Sequence, residues 1–287
     1  MPTWELCFDS VVIGRVNSRW SRTAPSWDQD LALDARQTIT GPSSPGAALV
    51  YSYAYLNHHV GAISESVKLI PNEQLDQDEC VLVDYGCGPG TALMALAENH
   101  LLRTGRPLTV HYRGVETRQS PTLALAAELF RCIQAQGLIS SASTMGFSEF
   151  AAPIDFPAVQ VGSPIYFSMC YVLAHPFYDL KANVQQDPVR HPFNAIMGCR
   201  NHYARPIGLI YTNATFHPDR PVHAAWRRLL KLFDHDPNVR NQEYRYKVYD
   251  SRRINGTGSI QDWQQKRYST PSTTSTTRGA CDFRAVG

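Results

Sequence analysis

The chain has 287 residues, of which 43% are hydrophobic and 18% charged, with a formal net charge of +2. These figures fit one large domain, or one domain with additions, with room for a sizeable core, and the charge argues neither for nor against a nucleic-acid partner. No apolar run is long enough to span a membrane, the opening MPTWELCFDSVV has no basic region leading into a long apolar core, and seven cysteines at 7, 80, 87, 132, 170, 199 and 281 form no C-x-x-C pair.

The cysteine pattern speaks against a disulfide framework or a structural zinc site and for a reducing compartment. A cytoplasmic protein with no metal and no membrane partner is therefore expected. Residues 1–48 read as an irregular N-terminal extension, with Trp20, Trp27 and a break at GPSSPG (41–46). Residues 49–268 read as the folded domain, opening with a helical cap over 47–70. ECVLVDY (79–85) has the consecutive apolar residues of a buried strand. TALMALAENHLL (91–102) is built from good helix formers. LTVHYRGVE (108–116) is the next strand, and SPTLALAAELFRCIQAQG (120–137) is a helix with Ser and Pro at its start and Gly at its end. A weaker strand is expected within 141–147, a strong one at 164–173, and a helical region from there to about 203. RPIGLIYTNATF (205–216) reads as a strand and PVHAAWRRLLKLF (221–233) as an amphipathic helix. EYRYKVYD (243–250) and SIQDWQQ (259–265), joined across NGTG (255–258), suit an antiparallel hairpin. The Ser/Thr-rich tail, 269–287, is expected to be disordered. Strands alternating with helices imply parallel pairing with right-handed crossovers, hence a three-layer α/β domain.

The stretch that carries chemistry is VDYGCGPG, residues 83–90. Glycines at 86, 88 and 90 give a tight strand-to-helix turn the backbone freedom it needs. Missing side chains let a ligand lie against the main chain, and free N–H groups at the helix start attract electron-rich groups. The pattern is G-x-G-x-G, with Thr91 where a dinucleotide fingerprint requires its third glycine.

V-D-Y-G-C-G-P-G resembles the first motif of the class I S-adenosylmethionine-dependent methyltransferases. The acid ending the second strand, Glu116 in RGVET, is similar to the family's ribose-binding acid, since a carboxylate accepts both protons of a diol. The resemblance covers about 79–265. It implies a Rossmann-like, mostly parallel sheet with a C-terminal antiparallel hairpin. It also implies S-adenosylmethionine as cofactor, held by Asp84, Gly86, Cys87, Gly88, Gly90 and Glu116, with Phe147, Ser148 and Cys170 around the adenine and the reacting centre. Glu116 lies 26 positions after Gly90, more than this crossover usually takes. Each assignment has a plainer counterpart: Asp84 anchors the turn, and Cys87 and Cys170 fill space as small apolar groups.

Methyl transfer is an in-line displacement that chiefly needs alignment. A base is required only when the nucleophile must lose a proton early. In SMCYVLAHPFYD (168–179) His175 is the candidate base, or else a loop-packing residue before Pro176. There is no [DN]-P-P-[YF] sequence, which lowers the case for an exocyclic base nitrogen or an amide as acceptor. In YSYAYLNHHV (51–60), Tyr51, Tyr55, His58 and His59 share or adjoin one helical face. Tyr55 and His59, with Tyr171, are candidate substrate contacts, or alternatively an ordinary packing face. The adjacent histidines point apart and suit no shared metal.

Residues 200–268 hold thirteen Lys/Arg against six Asp/Glu, and Tyr244, Tyr246 and Tyr249 alternate with Arg245 and Lys247. That interleaving suits base stacking and phosphate contacts, or a solvated hairpin with cross-strand tyrosines. Three functions compete: a methyltransferase for a small molecule, which leads; one for RNA; and a non-catalytic partner subunit of the same fold.

Overall fold

Buried β-branched and aromatic residues make the sheet. Strand β1 (Glu79–Tyr85) is buried along all but its first residue, which requires cover on both faces. The computed structural model describes residues 3–19, 44–116, 120–149, 154, 156, 162–171, 189–203, 205–213, 223–236, 238, 240–248 and 273–286. Around β1 lie β2 (Thr109–Val115), β3 (Thr144–Ser148), β4 (Ile165–Cys170), β5 (Ile207–Asn213), β6 (Asn241–Val248) and β7 (Thr273–Val286). They form one seven-stranded sheet in the order β3-β2-β1-β4-β5-β7-β6. The first five strands of that order are parallel, and β7 runs antiparallel to both β5 and β6. This is the expected Rossmann-like α/β fold, mostly parallel with an antiparallel C-terminal pair.

Alternate strand residues divide the core. Cys80 and Leu82 pack under α3 (Pro45–Val67), α5 (Thr91–Thr104) and α6 (Thr122–Ala135). Val81, Val83 and Tyr85 face the other layer, α7 (Arg190–His202) and α8 (Ala224–Leu232), where Trp226 stacks on Tyr211 at 4.6 Å. A short helix, α4 (Asn72–Leu75), leads into β1.

Three expectations need correction. The first concerns the N-terminal extension. Residues 3–19 are helical, as α1 (Trp4–Cys7), a π-helical segment (Phe8–Ile13) and α2 (Gly14–Arg19). Trp4, Phe8, Val12 and Val16, four residues apart, are all buried in the core. That is helical periodicity, which the composition of the whole extension masked. Trp20, Trp27 and most of GPSSPG lie outside the described residues. The second correction is a disulfide joining Cys7 to Cys132 on α6, with Cα atoms 5.6 Å apart. It ties the extension to the domain, so the expectation of free cysteines fails for this pair. Cys80, Cys87, Cys170, Cys199 and Cys281 are free and buried.

The third correction is the tail. Residues 273–286 form β7 instead of a disordered end, and β7 pairs antiparallel with β6. Thr273, Thr274, Thr276 and Thr277 are β-branched and suit a strand, while Ala280, Cys281 and Phe283 are buried against the sheet. Reading Ser and Thr as disorder formers ignored that preference. NGTG and SIQDWQQ lie outside the described residues.

Candidate functional site

The glycine turn follows β1 at the carboxyl end of the parallel strands, next to the point where the strand order reverses between β1 and β4. Ligands of open α/β sheets bind at such a crevice. Gly86, Gly88 and Gly90 all have left-handed backbones, with φ of 64°, 48° and 84°. Gly90 caps α5, and its N–H donates to the Cys87 carbonyl at 2.8 Å. The Gly86 N–H donates to the Val115 carbonyl at 2.7 Å, which pins the turn to the neighbouring strand.

Glu116 follows β2 directly and is half-buried. Its own N–H donates to the Ser148 carbonyl at 3.0 Å, and its carboxylate accepts from the Gly88 N–H at 3.4 Å. The pair predicted from sequence, turn and acid, is thus brought together. A diol could donate to this acceptor, a carboxylate oxygen facing Gly88, a position without a side chain. These are the residues that would hold an S-adenosyl group.

Asp84 is buried at the end of β1, and Tyr112 donates to its Oδ2 at 3.0 Å. Burial pushes its carboxyl up to about 7; hydrogen bonds from Ser168 and Tyr112 pull it back, and Glu116 adds to the rise. Tyr112 and Ser168 were not singled out in the sequence. Only the parallel register, which sets Leu82 beside Tyr112 and Asp84 beside Ser168, shows their place. Cys87 is buried and burial raises its thiol well above the ordinary range; Cys170 is pushed up to about 12, again by burial. Both suit space filling better than nucleophilic work. Cys87 and Phe147 crowd Gly114, where an added Cβ would meet each at 2.8 Å. Phe147 is 38% exposed and Ser148 half-buried, both at the rim beside Glu116.

The second predicted cluster also assembles. Tyr55 and His59 lie on α3, Tyr171 follows β4, and the rings form a column. Tyr55 and His59 stack at 6.0 Å with planes 20° apart, and His59 and Tyr171 at 3.8 Å and 21°. Tyr51 adjoins Tyr55 at 5.0 Å. Tyr171 has φ 63°, an uncommon conformation for a bulky residue. Burial, with His58 beside it, lowers His59 to about 3, and burial lowers His58 too.

Tyr244 and Tyr246 of β6 join this cluster instead of facing solvent. The Tyr244 hydroxyl lies 2.6 Å from His58 Nε2, and the Tyr246 ring meets His58 edge-on at 4.6 Å. Neither the base-stacking reading nor the solvated-hairpin reading anticipated this, because the partners are 186 residues apart. Arg245, between them, is exposed on the other side. His175, Tyr249, Arg252 and Arg253 lie outside the described residues.

No family model matches the chain, and no curated protein matches it. Among solved structures, a Pyrococcus horikoshii protein provisionally described as an RNA methyltransferase is 11% identical, with a TM-score of 0.37 over 77% of this chain and 81% of that one. The YcgJ protein of Bacillus subtilis is 12% identical, with a TM-score of 0.37 over 77% and 97%. An S-adenosylmethionine-dependent methyltransferase of Clostridium acetobutylicum is 13% identical, with a TM-score of 0.33 over 70% and 66%. Similarity this distant bears on neither activity nor substrate, which rest on the chain's own residues. Among the described residues, no helix is long and apolar enough to cross a membrane.

Proposed function

We propose that the protein is an S-adenosylmethionine-dependent methyltransferase acting on a small molecule. The observation that carries this is the left-handed glycine turn with the Glu116 carboxylate facing its Gly88 amide. When bound, S-adenosylmethionine supplies a methyl group on a sulfonium, already reactive towards an aligned nucleophile. The chain's part is to hold and align. Glu116 accepts from the ribose hydroxyls, and the turn admits the ligand against the backbone. Asp84, fixed by Tyr112, keeps the turn in place from beneath. Tyr171, at the end of β4, carries the wall against which the acceptor rests.

The small-molecule reading is favoured over RNA by the tyrosines of β6. Tyr244 is buried and Tyr246 meets His58 edge-on, so these two tyrosines are not an open platform for bases. Titration calorimetry with S-adenosylmethionine and S-adenosylhomocysteine tests the cofactor; no heat from either, on folded protein, removes the proposal. RNA binding that weakens steeply with salt, and is lost on Arg245→Gln, would move the substrate to RNA. Cofactor binding without turnover in extracts given isotopically labelled S-adenosylmethionine would favour a non-catalytic subunit.

A further inference from the structure

We infer that the methyl acceptor is a small molecule held through a planar aromatic or heteroaromatic group, which stacks on the Tyr55–His59–Tyr171 column. The inference rests on the methyltransferase reading and concerns the acceptor half of the same site.

Position comes first. Tyr171 directly follows β4, the strand paired with β1, and its N–H donates to the Thr212 carbonyl of β5 at 2.9 Å. The ring therefore stands at the carboxyl ends of the two strands next to the glycine turn. A non-glycine residue with φ 63° costs free energy that its surroundings must offset, and such residues gather at functional sites. Here the offset includes the close face-to-face contact with His59 at 3.8 Å. The column then runs outward along α3 to Tyr55, which is 46% exposed.

The chemistry of the column selects the ligand. Each ring lies within about 20° of parallel to its neighbour, so Tyr55 and Tyr171, at the two ends of the column, each have one flat face turned away from His59. Flat faces suit another planar π-system, in offset or stacked contact. A quaternary ammonium is instead recognised by rings arranged around it. An anion finds no charge here, because burial keeps both imidazoles neutral near pH 7. The rings of His58, Tyr244 and Tyr246 are instead tilted 46°, 69° and 41° from one another and tied by the 2.6 Å hydrogen bond, so they offer no parallel stack. They form a side wall rather than a second binding face.

The test uses full-length protein saturated with S-adenosylhomocysteine and ligand-observed nuclear magnetic resonance. The probes are indole, 4-hydroxyquinoline and phenethylamine, against 2-cyclohexylethylamine and choline. The aromatic probes should bind saturably and at least about five-fold more tightly than the two non-aromatic ones. His59→Leu should weaken them by a similar factor, and Tyr55→Ala, at an exposed position that folding tolerates, by about three-fold. S-adenosylhomocysteine affinity should stay within about two-fold in both variants, since both leave the glycine turn and Glu116 intact. Equal binding of phenethylamine and its saturated counterpart, preferential binding of choline, or aromatic binding indifferent to both substitutions would overturn the inference while leaving the cofactor reading standing. Failure of S-adenosylhomocysteine to bind the parent protein would instead remove the methyltransferase reading and this inference with it.

Discussion

The two ends of the parallel sheet are built on opposite terms. At the amino end, polar groups are paired. His111 bridges Thr144 at 2.9 Å and Glu79 at 3.1 Å, and Ser163 donates to the other oxygen of Glu79 at 3.0 Å. Outside them, Arg103 pairs with Asp76 and Arg106 with Asp78. At the carboxyl end, three glycines and one tyrosine hold left-handed backbones, a carboxyl is buried with its proton affinity raised, and two histidines are kept neutral. Left-handed glycines also occur at the amino end, at Gly105, Gly137 and Gly162; what the carboxyl end adds is Tyr171, a bulky residue with a left-handed backbone, and a buried carboxyl with its proton affinity raised. Bulky residues in such conformations gather at functional sites.

The sharpest way to break this contrast is Gly88→Val. A β-branched residue at φ 48° is strained, and its side chain would fill the space where a ligand meets the backbone. Binding of S-adenosylmethionine should fall by more than about 100-fold in calorimetry, beyond the loss of a single hydrogen bond. Binding within ten-fold of the parent would mean that the turn is merely structural.

Next is the buried carboxyl. Asp84 is raised from near 4 to about 7 in the fold, so the folded state holds its proton more tightly than the unfolded state. Its contribution is fully present below about pH 4 and is lost as pH rises through about 7, on the order of 4 kcal/mol at most. Urea melts between pH 4.5 and 8 should show that decline, and Asp84→Asn should flatten it. Parallel slopes in the two proteins would place the titrating group elsewhere.

Glu116→Ala should weaken cofactor binding by about 1.5–3 kcal/mol, as for hydrogen bonds to a charged acceptor. The melting temperature should barely move, because a half-buried strand-end acid supports little of the core. Unchanged affinity would separate Glu116 from the site. The smallest effect belongs to the other end of the sheet: Arg103→Ala removes an exposed ion pair and should leave both melting temperature and cofactor affinity as they were. A loss of cofactor binding there would erase the distinction between the two ends.

How much of this was legible in the chain follows from the range of the interactions. The turn is local: a strand, three glycines and a helix within the twenty-six residues 79–104 declare themselves, and Glu116 follows from the end of the next strand. The strand sequence of the parallel half was equally readable from consecutive buried residues. Tyr244 was not, because its partner His58 lies at the far end of the domain and a tyrosine alternating with basic residues looks like a surface strand. Tyr112 was hidden for a similar reason: its hydroxyl matters only once β2 is set beside β1. The N-terminal helices and β7 were lost differently. Their periodic or β-branched signals were present in Trp4, Phe8, Val12 and Val16 and in the threonines of 273–277, but low overall hydrophobicity around them outweighed those signals. The Cys7–Cys132 bridge has no local signature at all, since neither cysteine has a neighbour at a recognisable spacing.

The placement of β7 between β5 and β6 has a consequence for synthesis. Translation delivers β6 before β7, yet among the described strands β6 pairs only with β7. Until residue 286 has left the ribosome, β5 therefore presents an open hydrogen-bonding edge, and β6, resting on α3, lacks its strand partner among the described residues. The parallel half, with its glycine turn, is complete well before then. The ring cluster that depends on Tyr244 comes last, so a nascent chain would form its glycine turn before that cluster, and a ribosome stalled between β6 and β7 would expose a sticky strand edge to its neighbours.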